Sequence, residues 1–333
     1  MPAAPRILIT GASGFLGGRL AEMMLARGEP VRLLLRPGSH LALASDPGRV
    51  ETVRCAFDDA AGLARAMAGI RIVHNCAGLS ADWGSWAAFR AANVDNLGHL
   101  LEAARRAGTV ERFVHVSTTD VYGYPETPGD ESDALRDVGL PYNRSKGLGD
   151  ALALRFGRDT GLPVTVVRPA TIFGPGSKDW VVELSALLKA GWVVTIAGGA
   201  VPAGLVYVDD VAEAMIALAG NPTASGETYN IVDPQAMTWR TYFDRLADGL
   251  GVARPRLDLG ARTAYGLGFL CETAFRALRI SSRPLFTRHV VRLLSRNQHY
   301  DARKLTAAMS GFPVIGVEEG LARTLAWLAA RRS

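Results

Sequence analysis

Short, continuously apolar runs alternate with helical patterns through the first half of the chain. "RILIT" (6–10) precedes a helical stretch at 19–27, and "VRLLL" (31–35) precedes one at 60–69. "IRIVHNCAG" (70–78) precedes 86–107, and "ERFVHVST" (111–118) follows. Strands that are apolar on both faces and separated by helices predict a parallel sheet covered on both sides, a doubly wound α/β architecture. "PVTVVRP" (163–169) supplies a further strand, and "GLVYVDDVAEAMIALA" (204–219) reads as a strand entering a helix whose first turn carries Asp209 and Asp210. After Pro175 the texture changes to helical stretches near 179–190, 238–250, 260–278 and 318–331, with short strands near "VVTIAGG", "ETYNIVD" and "QHYD". The division expected is a sheet domain of residues 1–174 plus about 205–233. A smaller, discontinuous substrate lobe of about 175–204 and 234–333 completes the chain.

Composition narrows the class. At 333 residues, 48% hydrophobic and 21% charged, the chain can bury a large core, and it contains no low-complexity tract or repeat. The net charge of +5 is spread along the sequence, so no nucleic-acid partner is expected. Cys55, Cys76 and Cys271 are odd in number and set in apolar surroundings, which suits reduced thiols better than disulfides or a metal site. A strand pattern beginning at Arg6 leaves no room for a signal peptide, so a cytoplasmic location is expected. The apolar stretch 261–280 is interrupted by Arg262, Glu272, Arg276 and Arg279 and reads as no membrane span, although peripheral membrane contact stays open.

"ILITGASGFLGGRL" puts Gly11, Gly14 and Gly17 between the first strand and the first helix. Glycine there permits a tight turn, lets backbone N–H groups approach a pyrophosphate and allows the helix to pack closely, while the helix N-terminus favours negative charge. A dinucleotide-binding, Rossmann-type domain follows. The second strand ends at Arg36, where an acid would meet the ribose of a cofactor lacking a 2′-phosphate. A guanidinium suits the 2′-phosphate, so NADP(H) is favoured, with NAD(H) left open.

"TGASGFLG", "NCAG" (75–78), "NVDNLGHLLEAARRAG" (93–108), "VSTTDVYG" (116–123), "YNRSK" (142–146) and "VRPATIFGPG" (167–176) occur in the order found in extended short-chain dehydrogenases/reductases, which the chain resembles over nearly its whole length. "PLFTRHVVRLLSRNQHYDARKL" and "FPVIGVEEGLARTLAWL" are similar to the 3β-hydroxysteroid dehydrogenase and dihydroflavonol reductase branch. The resemblance implies cofactor contacts from Gly11, Ser13, Gly14, Phe15, Leu16, Gly17, Ala77 and Gly78. It also implies them from Pro169, Thr171 and Ile172, beside the nicotinamide carboxamide.

Hydride transfer between a nicotinamide and a carbonyl needs a proton donor or acceptor at the oxygen. Tyr142 is the candidate acid/base, and Lys146, one helical turn on, can stabilise its phenolate and hydrogen-bond the nicotinamide ribose. The resemblance assigns Thr118 to the substrate oxygen and Asn93 to a proton relay. Asp120 stands where the family's sugar dehydratases carry an Asp-Glu pair, but Thr119 precedes it here, so it reads as structural or substrate-polar. The family's "G-D-L" after the third strand is replaced by Cys55-Ala56-Phe57, with Asp58 a potential substitute. His74 and His115 read as core histidines.

The function implied is NADP(H)-dependent reduction of a carbonyl, or oxidation of the alcohol, on a mainly apolar substrate such as a steroid, polyketide or β-keto compound. A nucleotide-sugar epimerase or dehydratase is the alternative. Its diphosphate would want an arginine just before "VYVDDV", where Val201–Leu205 is wholly apolar. A non-catalytic dinucleotide sensor is the alternative from another class, against which Tyr142 and Lys146 are both present. The segment 259–294 reads either as a packed amphipathic helix with a solvated basic face or as a lid over an apolar pocket beside Tyr142, and a homodimer stays open.

Overall fold

The computed structural model describes residues 6–41, 43, 48–280 and 282–331. Seven strands form one parallel sheet: β1 (Ile7–Thr10), β2 (Val31–Leu35), β3 (Val50–Arg54), β4 (Ile72–Asn75), β5 (Arg112–Val116), β6 (Val164–Pro169) and β7 (Thr228–Ile231). Their order across the sheet is β7-β6-β5-β4-β1-β2-β3. β1 pairs with β2 through Ile7–Val31 and with β4 through Ile7–Ile72, so the strand order reverses at β1. The crevice outside the carboxyl ends of β1 and β4 is therefore the topological switch point where such sheets bind ligands.

The continuously apolar strands serve two cores. Ile7, Ile9, Leu33 and Leu35 face one cluster, shared with the helices Phe15–Ala26 and Val208–Gly220. Leu8, Leu34 and Val73 face the other, shared with the helices Ala60–Met67, Asn96–Ala107 and Pro141–Thr160. Side chains alternate across each strand, so both faces must be apolar to be covered. The first cluster continues without a break into the C-terminal half, through Trp239, Tyr242, Leu305 and Leu321.

Two placements differ from the sequence expectation. Leu205–Tyr207 does not enter the main sheet; it pairs with Thr171–Phe173 in a separate two-stranded parallel ribbon, and only the helix that follows lies against β5 and β6. "ETYNIVD" instead supplies the seventh strand of the main sheet through Thr228–Val166 pairing. "VVTIAGG" contributes Thr195–Ile196, paired with Asp258–Leu259, and "QHYD" gives only an isolated bridge between Tyr300 and Gly129. All three cysteines are free thiols. Among the described residues, no helix is long and apolar enough to cross a membrane.

Candidate active site

The glycine loop is closed against the neighbouring strand end. Gly11 has φ +71°, and a Cβ there would lie 2.7 Å from the Cys76 carbonyl carbon; one at Gly17 would lie 2.4 Å from the Gly11 oxygen. Both positions exclude any side chain. The helix Phe15–Ala26 begins at Gly14 with no side-chain cap and no acid in its first turn, leaving its N–H groups to an anionic ligand. Thr10 anchors the floor: its hydroxyl donates to Asn75 Oδ1 at 2.6 Å and accepts from Ala77 N at 3.1 Å. These features fit the pyrophosphate of a dinucleotide, with Ser13, Phe15 and Leu16 at the turn and Ala77 and Gly78 opposite. Arg36 follows β2 and is exposed, and its guanidinium makes no ion pair with a described residue. Asp58 is exposed, while Asp59 caps the next helix by accepting from Gly62 N.

Proline at its first turn pre-sets the backbone of the helix Pro141–Thr160, which delivers Tyr142 and Lys146 to the carboxyl ends of β4 and β5. Lys146 Nζ donates to Val116 O at 2.7 Å, and a Cβ on Gly78 would lie 4.0 Å from it. Burial lowers the ammonium from 10.5 to about 8, against the opposing pull of Asp150 and Cys76. The Cys76 thiol is pushed up to about 12, chiefly by burial. The Tyr142 phenol is also pushed up, first by burial and then by the Asp120 carboxylate, while hydrogen bonds with Ser80 and Thr118 act the other way. Tyr142 is therefore a neutral phenol at pH 7.

Asn93 lies in a π-helical turn, Ala91–Asp95, a distortion frequent at functional sites. Its Oδ1 accepts from Leu79 N at 2.7 Å, and its Nδ2 donates to Leu79 O and to Ser145 Oγ. Ser145 in turn donates to Tyr142 O at 2.9 Å. Asn93 thus ties the strand-end loop to the helix Pro141–Thr160 rather than meeting the phenol. Beyond β6, the backbone N–H of Thr171 is taken by Gly204 O at 2.8 Å; Pro169 ends the strand, and Ile172 is half-buried in the ribbon. Ala203 and Leu205 lie in the core, so the apolar stretch before "VYVDDV" packs inward.

Three residues that sequence reasoning missed surround Tyr142. Ser80 follows the "NCAG" turn. His289, on the helix Arg288–Ser295, lies edge-on to the Tyr142 ring, with centroids 5.6 Å apart. Its Nε2 is 3.6 Å from Asp120 Oδ2 and its Nδ1 is 3.2 Å from the Tyr124 hydroxyl. Tyr124 holds a left-handed φ of +64°, unusual for a bulky residue, and sits directly after Gly123. Burial raises the Asp120 carboxyl, while His289 and Tyr124 hold it down. Asp120 is thus a polar neighbour of Tyr142. No sequence signal singled out a lone histidine in a basic helix.

His115 accepts from Asn75 Nδ2 at 3.0 Å and is held neutral by burial and by Lys146, while His74 is lowered to about 4 by burial alone. Both are core histidines, but only His115 is satisfied as the pattern implied; neither ring nitrogen of His74 meets a hydrogen-bond partner among the described residues.

A dinucleotide cradle at the switch point, with a tyrosine and a lysine one turn apart on the adjoining helix, defines a nicotinamide-dependent oxidoreductase of the short-chain dehydrogenase/reductase class. The chain belongs to the NAD dependent epimerase/dehydratase family, whose pattern it matches over residues 7–232. It is 28% identical, over 98% of its length and 100% of the relative's, to a 2-alkyl-3-oxoalkanoate reductase of Stenotrophomonas maltophilia. It is 26% identical to the 3beta-hydroxysteroid-dehydrogenase/decarboxylase isoform 1 of Arabidopsis thaliana, over 96% of this chain and 78% of that one. Among solved structures, a dTDP-glucose 4,6-dehydratase of Streptomyces venezuelae with NAD bound superposes with a TM-score of 0.78 at 26% identity, covering 98% of each chain.

Proposed function

We propose that this enzyme uses NADP(H) to reduce the carbonyl of a mainly apolar β-keto or steroid-like substrate, or to oxidise the corresponding alcohol, with Tyr142 as acid/base. The observation that carries this reading is the half-buried, neutral Tyr142 phenol, set one helical turn from the buried Lys146 ammonium, with Thr118 and Ser80 acting to lower its proton affinity. When bound, the cofactor supplies or takes the hydride. Tyr142 then gives its proton to the carbonyl oxygen, and Thr118 orients that oxygen by donating to it. The Lys146 cation, fixed by Val116 O, stabilises the phenolate left behind. Arg36 is the group for a 2′-phosphate, and the segments of about 175–204 and 234–333 form the substrate side of the cleft.

The relatives that act on 3-oxoalkanoates and 3β-hydroxysteroids support the substrate class. Against a nucleotide sugar stands the inward-packed, uncharged stretch Val201–Leu205, which offers a diphosphate no cation. The test is NADPH oxidation with a panel of 2-alkyl-3-oxoacids and 3-ketosteroids, beside binding of UDP- and dTDP-sugars. Turnover of an apolar ketone is expected. Tight binding of a nucleotide sugar with no ketone turned over would overturn the proposal.

A further inference from the structure

The helix Ala261–Ala277 is turned inside out relative to an ordinary surface helix. Its one acid faces inward: Glu272 is 3% exposed and accepts from the Arg288 backbone N at 2.8 Å and from Arg288 Nε at 2.9 Å. Gly268 lies on the same face, where an added Cβ would come within 3.1 Å of the Arg288 backbone. The outward face carries Leu267, Leu270, Ala274 and, just past the end, Leu278, spaced three, four and four residues apart in one stripe. Leu270 is 62% and Leu278 70% exposed, and Ile280 and Leu285 continue the apolar surface beyond the helix. No charged residue interrupts the stripe. A soluble surface helix keeps that face polar, so a contiguous exposed apolar face marks an interaction site.

Charge chooses the occupant. Between Leu259 and Arg296 the sequence holds seven arginines and one acid, the buried Glu272. Arg276 and Arg288 pair with Glu272, and Arg283 with Asp82, Asp179 and Glu183, which leaves Arg262 and Arg279, both exposed, without an ion pair to a described residue; Arg276 also stacks over Trp83, with its guanidinium 5.2 Å from the ring centroid. Leucines flanked by unpaired arginines match the boundary between acyl chains and anionic headgroups, where apolar side chains insert and each cation near the surface adds attraction. A second copy of this face would instead oppose arginine to arginine.

We propose that the Leu267–Leu285 surface docks on anionic lipid membranes. The surface adjoins the site. Phe275 meets Trp83 edge-to-face, and Thr287, which abuts Gly268, donates to Asp82 Oδ2 at 2.7 Å; His289, two residues on, faces Tyr142. A docked enzyme thereby holds its cleft against the source of apolar molecules. The docking itself does not rest on the substrate reading, and its readout is independent of turnover.

The experiment is co-sedimentation of the whole chain with phosphatidylcholine vesicles and with vesicles that also contain phosphatidylglycerol, at low and high salt, alongside sedimentation velocity without lipid. Partition onto the anionic vesicles is expected to exceed that onto the neutral ones by about tenfold and to fall with salt. The double substitution Leu270→Glu, Leu278→Glu should cut partition about tenfold with the unfolding midpoint unchanged, because both side chains already stand in solvent. Arg279→Glu should weaken binding to anionic vesicles alone. Equal or absent binding to the two vesicle types overturns the proposal. So does a dimer in solution that the double substitution dissociates without any vesicle binding.

Discussion

Replacing Lys146 with methionine removes a cation that the fold holds almost wholly out of water, at 7% exposure. Burial lowers this ammonium from 10.5 to about 8. At about 1.4 kcal/mol for each tenfold change in proton affinity, carrying the charge costs the folded state about 3 kcal/mol at neutral pH. The sign follows from proton counting. Below pH 8 the lysine is protonated in both the folded and the unfolded chain, so the full cost is present. Between pH 8 and about 10.5 the unfolded chain keeps the proton that the folded chain has lost, and stability rises with pH across that window. Methionine has no such dependence. At pH 7 Lys146→Met should therefore be the more stable protein, by an amount that the lost bond to Val116 O reduces. By pH 10 wild type should have recovered about 2–3 kcal/mol relative to the variant. Cys76 and Tyr142 titrate in the unfolded chain within this window, but both proteins carry them, so their contribution cancels in the gap between wild type and variant. Urea unfolding of both proteins from pH 6.5 to 10 measures the gap. A gap that stays constant with pH would refute the claim that a desolvated ammonium sits at this position. The variant should also lose carbonyl reduction, so that stability and activity move in opposite directions.

Tyr142→Phe should lower turnover roughly 10²–10⁴-fold with NADPH binding intact by fluorescence titration; retention of most activity would move the acid/base role elsewhere. Asp120→Asn removes the carboxylate that raises the phenol, so the pH profile of alcohol oxidation should shift to lower pH, and an unmoved profile would separate Asp120 from the reaction. Arg36→Asp should weaken NADPH by about 1.5–3 kcal/mol and leave NADH comparatively favoured; unchanged affinities for both would end the 2′-phosphate assignment. Arg168 and Asp150 form a buried pair with two bonds of 2.8 Å beneath the Pro169–Ile172 segment. Arg168→Met should cost about 3–5 kcal/mol in thermal unfolding by stranding Asp150. Arg168→Met with Asp150→Leu should recover much of that loss, and a single variant as stable as wild type would contradict it.

What could be read from the sequence was local in the chain. Tyr142 and Lys146 are one helical turn apart, and Gly11 and Gly17 bracket one turn, so spacing alone brought them together. Groups assembled by tertiary contact were out of reach. Ser80, Tyr124 and His289 come from three separate segments, and their meeting at Tyr142 depends on how the helix Arg288–Ser295 is seated. The short strand Thr228–Ile231 was visible as a strand, but which edge it would pair with was not; β6 exposed the free edge, and the ribbon Leu205–Tyr207 was captured by Thr171–Phe173 instead.

The helix Ala261–Ala277 shows the limit most directly. Periodicity reports that its residues divide into two faces, and the ordinary hydrophobic argument would turn Leu267, Leu270 and Leu278 inward and leave the basic face in water. The structure leaves the arginines in water but puts the leucines there as well, and turns Glu272 inward. Glu272 finds both a backbone N–H and a guanidinium in Arg288, which offsets its loss of water, and Gly268 lets the Thr287–Arg288 backbone approach closely enough for those bonds to form. Once that polar pair is satisfied inside, the leucine stripe has no interior left to fill, and the helix presents its apolar side outward.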